Sequence, residues 1–593
     1  MSLSLSRIGL LVSVAVLARG ADMPLRPDPA LWQHQVLSLG HVPEKDAVTF
    51  AISAGGLTVG PWVAGQSSAR LEYKQPVPVL RGMILGRYHT ESMYPRQAAV
   101  RLQFNQAGHS LAVRTFALGA TGSDWSEFAI PVFRPPQGAE SITIGFGLAE
   151  KTDGHVQFAD LRISDNYHAP EFPGAAPTLT RPAPPENAKS ASMGGLVNSG
   201  TAWWLVSPQG KPFFSLGSAG YSHDEPAVFE QMRHLFFNSV AGGHDLKRWA
   251  AFNDRQLAAG APVAFQFRIV GTEVGGAYDT LMDASGTDPR EMQAKAAATG
   301  GFDHAFPDPF DPRWQESVKK RVHEIATVVK GKPYFAGWFA DNERAHRDLH
   351  RFVWSTHCSA EFGHYLEKRY GTIAMLNRGW NTKFESFGAL MREKPDPVVR
   401  KGAMYEAFRT FSREIIRQFN RTLILAIHAE DPGRLIFSNR FMIGEIRDVL
   451  DNLDLYRDFD GIAINIYPSN ITPGLDPSER QYIEMVHART GKPILITEWS
   501  VPALDSGLYD RPAHLDWSYP QAMETQALRA RQAAEIEADL YNMPYVVGAH
   551  WFTWNDFDTP VRQANRGLFK VDGQPWTELQ DALRELNARM PQP

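Results

Sequence analysis

The residues equipped for chemistry sit at the ends of apolar runs. Tyr334-Phe-Ala-Gly-Trp-Phe-Ala-Asp-Asn-Glu343 reads as a buried strand, introduced by Gly331-Lys332-Pro333, that stops in two carboxylates and an amide. Unpaired buried carboxylates are costly, so Asp341, Asn342 and Glu343 must meet partners or a cleft where the strand ends. Asp341 also suits a helix cap, because Arg344 to Trp354 reads as helical, but a cap leaves Asn342 beside Glu343 unexplained. A second apolar strand, Pro493-Ile-Leu-Ile-Thr-Glu498, ends in another carboxylate. Two glutamates at the tips of two buried strands suit glycosidic bond hydrolysis. That reaction needs one protonated acid and one ionised carboxylate, one on each side of the scissile bond.

Such a pair needs a rigid frame, and the chain offers one. Strand-like runs at Phe213–Ala219, Phe237–Ala241, Pro262–Ile269, Tyr334–Ala340, Arg434–Asn439, Gly461–Tyr467, Pro493–Thr497 and Val546–Phe552 alternate with amphipathic helical segments such as Ser317–Val329, Met404–His428 and Thr525–Tyr541. Eight strands with helices between them predict an α/β fold, a (β/α)8 TIM barrel over residues 194–593. Its insertions follow the third and fourth strands, and Trp203–Phe214 reads as a hairpin leading in. In such a barrel the polar residues at strand C-termini form the site. They are Asn342 and Glu343, Asn439 and Arg440, Asn465 and Tyr467, Glu498, then His550, Trp551, Trp554 and Asn555. Asn342 is placed to bind a sugar hydroxyl, Tyr467 to hold the ionised glutamate, and Trp551 to floor a sugar subsite. His244 and Arg268, at the ends of the second and third strands, are further substrate contacts, Arg268 equally a brace of the barrel mouth. His304 and Asp308 belong to the loop after the third strand, where an outer subsite would form.

Before the barrel, residues 40–166 carry short alternating runs separated by turn residues, among them Ala47–Ser53, Ala99–Phe104, Ser141–Phe146 and His155–Ser164. This spacing predicts an all-β, jelly-roll-like sandwich. Two roles fit it: a carbohydrate-binding module, or a structural domain packed on the catalytic one. Residues 167–193 are a proline-rich linker. Residues 1–20 read as a signal peptide, with Arg7, an apolar Ile8–Leu17 core and a small-x-small site at Ala18-Arg-Gly20. The expectation is an exported protein, periplasmic or secreted. The single cysteine, Cys358, excludes an internal disulfide and reads as an inert helix residue.

Composition narrows the partners. The 593 residues are 43% hydrophobic and 21% charged, with a net charge of −5, which gives no electrostatic case for nucleic acid or an acidic membrane surface. The signal core is too short to span a membrane. His346 and His350 stand four apart, but Arg347 occupies the place where a zinc-protease pattern needs glutamate, so no catalytic metal and no cofactor are expected. Glu445 and Glu484 read as helix-surface charges.

Several segments together resemble a known group. Asn-Glu on the fourth strand and the glutamate on the seventh resemble the retaining glycoside hydrolases of clan A. Gly337-Trp-Phe-Ala-Asp-Asn-Glu343, Phe306-Pro-Asp-Pro-Phe-Asp-Pro-Arg-Trp314, Ile496-Thr-Glu-Trp499, His550-Trp-Phe-Thr-Trp-Asn-Asp556 and Gly567-Leu-Phe-Lys-Val-Asp-Gly573 look most like family 50 β-agarases. Leu376-Asn-Arg-Gly-Trp-Asn-Thr-Lys-Phe384 is similar to a segment shared with family 42 β-galactosidases. The resemblance, over about residues 195–585, implies Glu343 as acid/base and Glu498 as nucleophile in cleaving a β-galactosidic linkage. Agarose or neoagaro-oligosaccharides would be the substrate. A β-galactosidase acting on other β-galactosides, and a non-catalytic carbohydrate-binding protein on a decayed barrel, are the rival expectations.

Overall fold

The structure, a computed structural model, describes residues 22–37, 47–64, 66–75, 77–78, 81–132, 135–167, 171–186, 195–219, 226–242, 245–271, 278–286, 305–443, 446–468, 472–509, 522–559 and 562–593. The expected signal segment, His244, His304 and Glu445 lie outside these residues.

The N-terminal region is built of two antiparallel sheets. One runs Ser126–Val132, Gly82–Glu91, His155–Ser164, Gly56–Trp62, Val48–Ser53, with Met23–Pro24 added to His155–Ser164. The other runs Trp32–Leu37, Gln66–Tyr73, Ser141–Leu148, Ala98–Gln106, His109–Leu118, with Val77–Pro78 beside Ser141–Leu148. Both contribute their inward residues to one apolar cluster that includes Trp32, Trp62, Val100, Phe146 and Phe158. Phe146 of one sheet meets Phe158 of the other at 5.3 Å between rings, so the two faces interdigitate. The alternation read in the sequence is the alternation of these faces.

From Ser215 onward the chain forms one parallel sheet of nine segments. In chain order they are β1 (Ser215–Ala219), β2 (Ser239–Ala241), β3 (Phe265–Ile269), β4 (Phe335–Phe339), β5 (Leu435–Phe437), β6 (Phe441–Met442), β7 (Ile462–Asn465), β8 (Ile494–Trp499) and β9 (Val546–Phe552). The hydrogen-bonded order is β5-β4-β3-β2-β1-β9-β8-β7-β6. Its two ends meet. Phe437 pairs in parallel with Gly461, the Ser438 N–H donates to the Gly461 carbonyl at 3.1 Å, and the Asp460 N–H donates to Ile436 at 2.9 Å. β5 and β6 are therefore two pieces of one expected strand, interrupted at 438–440, and that interruption falls beside the site.

These strands are buried on both faces, as parallel sheets covered by helices must be. Phe265, Phe267, Phe339, Phe437, Leu495 and Val547 fill the interior. The opposite faces pack on helices, including Pro312–Val329, Gly402–Glu430 and Gln526–Asn542. The hairpin at Trp203 belongs to a three-stranded antiparallel sheet, Gly195–Asn198, Trp203–Val206 and Pro212–Phe213. Leu205 and Phe213 join the interior cluster. Within residues 171–186 no helix or strand forms. There Arg181 is buried and donates to the carbonyls of Tyr541 and Met543 at 2.9 and 2.8 Å, with its guanidinium 4.2 Å over the Trp204 ring. Among the described residues no helix is long and apolar enough to cross a membrane.

One expectation fails. Arg344 to Trp354 is not helical; it holds only a short 3-10 turn at Leu349–Arg351. Glu343 (φ 49°) and Asp348 (φ 54°) are in the left-handed region, which a right-handed helix cannot propagate. The residues following Glu343 are shaped by tertiary partners instead of by their own periodicity.

Candidate active site

β4 and β8 bring the two glutamates to the C-terminal edge of the sheet. Each is 8% exposed, buried among partners. β7 stands between them in the network. The Asn465 amide donates to Glu343 Oε1 at 2.7 Å and accepts at its own oxygen from the Thr497 hydroxyl at 2.6 Å, one residue before Glu498. A second link runs through Arg440. Its guanidinium donates to Asn342 Oδ1 (2.9 Å), to the Thr497 carbonyl (3.1 Å) and to Glu498 Oε1 (2.7 Å).

The other oxygen of Glu498 accepts the Tyr467 hydroxyl. Burial, and then the negative charges of Glu498 and Glu343, push the Tyr467 phenol well above its ordinary range, so it stays a donor. The ring is fixed by Arg566, whose guanidinium lies 4.4 Å over it, and by Phe552 at 6.2 Å edge-on. Arg566 is itself fully buried and donates to the Ser500 hydroxyl at 2.7 Å. Glu498 thus has two donors on two different oxygens, which fix its orientation.

Glu343, Glu498, Asn342, Asn465 and Tyr467 are brought together. Other expected site residues lie elsewhere. Asn439 is fully buried and spends both ends of its amide on the backbone of Arg344 (3.3 and 3.5 Å). His550 is fully buried beneath the edge, its Nε2 2.9 Å from the Ser215 hydroxyl; burial, then the nearby Arg440 charge, pushes it down to about 3, so it is neutral. Trp551 faces the helix layer, edge-on to Trp499 at 4.8 Å, with its indole N–H donating to the Arg566 carbonyl at 2.8 Å. Facing the helices, it does not floor a subsite beside the glutamates; its neighbour Phe552 is on the inner face, beside Tyr467. Asn555 donates to the Lys570 carbonyl at 3.2 Å within a turn, and Trp554 packs on Phe569 at 5.1 Å. Arg268 donates to the Gly242 carbonyl at 2.7 Å at the mouth of the sheet, and burial lowers its guanidinium to about 10. Asp308 caps the helix Thr356–Tyr370 through the His357 and Cys358 N–H groups at 3.1 and 2.9 Å, and so shapes no subsite directly.

His346 and His350 are no metal pair. His346 is buried with Nδ1 2.9 Å from the Arg344 carbonyl and Nε2 2.6 Å from the Tyr456 hydroxyl, and burial pushes it down to about 4. His350, packed edge-on against Tyr405, is likewise lowered to about 4 by burial. Asp279, Asp311 and His357 bring three potential ligand atoms within 4.8 Å of one another. Arg313 already pairs with both carboxylates, at 3.0 and 2.6 Å, and offsets part of their charge.

The chain is similar to several known proteins. Residues 290–506, which contain both glutamates, match the family model Glyco_hydro_42, described as β-galactosidase. β-Agarase B of Vibrio sp. (strain JT0107) is 23% identical over 301 residues, 47% of this chain and 30% of that protein. A β-galactosidase of Thermus thermophilus is 30% identical over 216 residues, 35% of this chain and 31% of that protein. The chain thus spans about a third of the length of these curated relatives. Among solved structures, that of an agarase superposes with a TM-score of 0.57 at 14% identity, covering 94% of this chain and 99% of its own. An exo-β-agarase superposes with a TM-score of 0.56 at 15% identity, covering 95% and 97%. These relatives and fold neighbours are agarases and β-galactosidases, and the chain shares their fold.

Proposed function

We propose that the chain is a retaining glycoside hydrolase cleaving β-galactosidic linkages in a galactan, foremost agarose or neoagaro-oligosaccharides, on a (β/α)8 barrel. The observation that carries the reading is the shared network of the two strand-end glutamates. Glu343 is joined to the residue before Glu498 through Asn465, and Glu498 is held on both oxygens by Arg440 and Tyr467. In the first step Glu498 attacks the anomeric carbon while Glu343 gives its proton to the departing glycosidic oxygen. This leaves a glycosyl ester on Glu498 and a carboxylate on Glu343. In the second step Glu343 takes a proton from water as that water attacks the anomeric carbon, and Glu498 is released. Asn342, whose amide oxygen is occupied by Arg440, offers its NH2 to a sugar hydroxyl oxygen.

Agarose is favoured by the agarase structures, which follow this chain through its N-terminal sheets as well as its parallel sheet. A β-galactosidase using the same two glutamates is the second reading, favoured by the family model over residues 290–506. A purely sugar-binding role gives no reason for two donors on Glu498. We assign residues 40–166 to a carbohydrate-binding-module-like sandwich, 167–193 to a linker, and residues 1–20 to export. Product analysis tests the reading: wild type, Glu343→Gln and Glu498→Gln are incubated with agarose, neoagaro-oligosaccharides and a nitrophenyl β-galactoside. Neoagarobiose from the wild type alone supports the agarase. Galactose from the small glycoside with agarose untouched turns the assignment to β-galactosidase, and full activity in either variant removes the proposed site.

A further inference from the structure

We propose that Asn439 is a positioning residue for Glu343, clamping the left-handed turn that presents the proton-transferring carboxyl to the cleft; this rests on the reading of Glu343 given above. A non-glycine residue in the left-handed region is disfavoured by roughly 1–2 kcal/mol, so Glu343 at φ 49° must be held there from outside. The segment 439–440, the break between β5 and β6, supplies the hold. The Glu343 N–H donates to the Arg440 carbonyl at 3.1 Å, and Asn342 pairs with Arg440 in a parallel bridge. On the other side of Glu343, Asn439 Oδ1 accepts the Arg344 N–H at 3.3 Å while its Nδ2 donates to the Arg344 carbonyl at 3.5 Å. Only one orientation of the amide pairs both groups, and asparagine accepts and donates from two separate atoms at once. Around this, the Arg344 guanidinium is tied to Asp341 at 3.0 and 3.2 Å and to the Ala305 carbonyl at 2.7 Å. Asn439 is fully buried, so it acts on the reaction through Glu343 and not by touching sugar.

The consequence is selective. A misplaced acid slows departure of a poor leaving group, which needs its proton, and spares a good one, which does not. Wild type, Glu343→Ala, Asn439→Ala and Asn439→Asp are compared on phenyl and 2,4-dinitrophenyl β-galactosides. Should the wild type require a disaccharide, the same two aglycones are carried on neoagarobiose. Misplacement by about 1 Å costs on the order of 100-fold, so Asn439→Ala is expected to lose roughly 30- to 100-fold in kcat/KM on the phenyl glycoside and less than about threefold on the dinitrophenyl one. Sodium azide should accelerate its dinitrophenyl turnover, as in Glu343→Ala, by attacking the glycosyl ester directly and releasing the Glu498 carboxylate with formation of the glycosyl azide. Asn439→Asp keeps the acceptor and loses the donor, and is expected between wild type and Asn439→Ala. A crystal structure of Asn439→Ala should show residue 343 out of the left-handed region or parted from Asn465. Equal losses on both aglycones, no response to azide, or an unmoved Glu343 in that crystal overturns the clamp. If Glu343→Ala itself shows neither leaving-group selectivity nor azide rescue, the acid/base reading falls and the clamp falls with it.

Discussion

Tyr467→Phe isolates one hydrogen bond in the site. The ring is held from two sides by Arg566 at 4.4 Å and Phe552 at 6.2 Å, so phenylalanine keeps its place while the hydroxyl bond to Glu498 is lost. A hydrogen bond to a charged group contributes about 1.5–3 kcal/mol. Removing a donor makes the carboxylate more nucleophilic in principle. It also leaves Arg440, on Oε1 alone, as the side-chain donor among the described residues, and frees the group to rotate. If the full bond is expressed in the transition state, kcat/KM falls about 10- to 150-fold, at 1.36 kcal/mol per decade. Because the Tyr467 phenol is pushed well up by burial and the two carboxylates, it donates throughout the working range, and the loss should be the same at pH 6 and pH 8. Steady-state kinetics of both enzymes at those two pH values, with thermal melts to verify folding, reads the effect. An activity within twofold of wild type in a normally folded variant would refute the view that the Tyr467 hydroxyl holds the nucleophile in its reacting geometry.

Glu343→Gln should lower kcat/KM on the natural polymer about 10²- to 10⁴-fold, as general acid catalysis is lost, with thermal stability near that of wild type. Trp551→Ala should destabilise the fold by about 3–5 kcal/mol in denaturant melts and leave KM unchanged, whereas Phe552→Ala should raise KM roughly tenfold; the opposite pairing would return Trp551 to the cleft. His346 and His350, lowered to about 4 from an ordinary value near 6.5, are neutral when folded and protonate on unfolding. Their contribution is therefore complete above pH 6.5 and is lost as pH falls from 6.5 toward 4, and His350→Gln should flatten the fall of the thermal midpoint over that window. A midpoint equally steep in the variant would contradict the assignment.

Sequence patterning located the strands and their polar ends because a carboxylate at the tip of an apolar run must meet a cleft or a partner. Parity was not legible. β9 is buried at every position, so nothing in its composition shows that His550 and Phe552 face inward while Trp551 faces the helices. Asn439 was placed at the cleft by its position at a strand end, but the strand breaks there, and the break points the amide at backbone instead of sugar. The segment after Glu343 reads as helical by composition and is overruled by partners far along the chain, Asn439 and Arg440. Arg566 offered no signal, since an arginine in a turn after the last strand reads as a surface charge until its packing over Tyr467 is seen.

The N-terminal sheets fasten to the connections that follow four different strands. Lys151 pairs with Asp348 at 2.8 Å after β4, Tyr94 bonds Asp451 at 2.7 Å after β6, Arg96 pairs with Glu479 at 3.0 Å after β7, and Arg81 pairs with Glu524 at 2.9 Å after β8. A region so attached is not an interchangeable cassette. Transplanting it to another catalytic chain, or trimming it away to obtain a smaller enzyme, would leave Glu479 without its Arg96 partner and Asp348 with Arg400 but without Lys151.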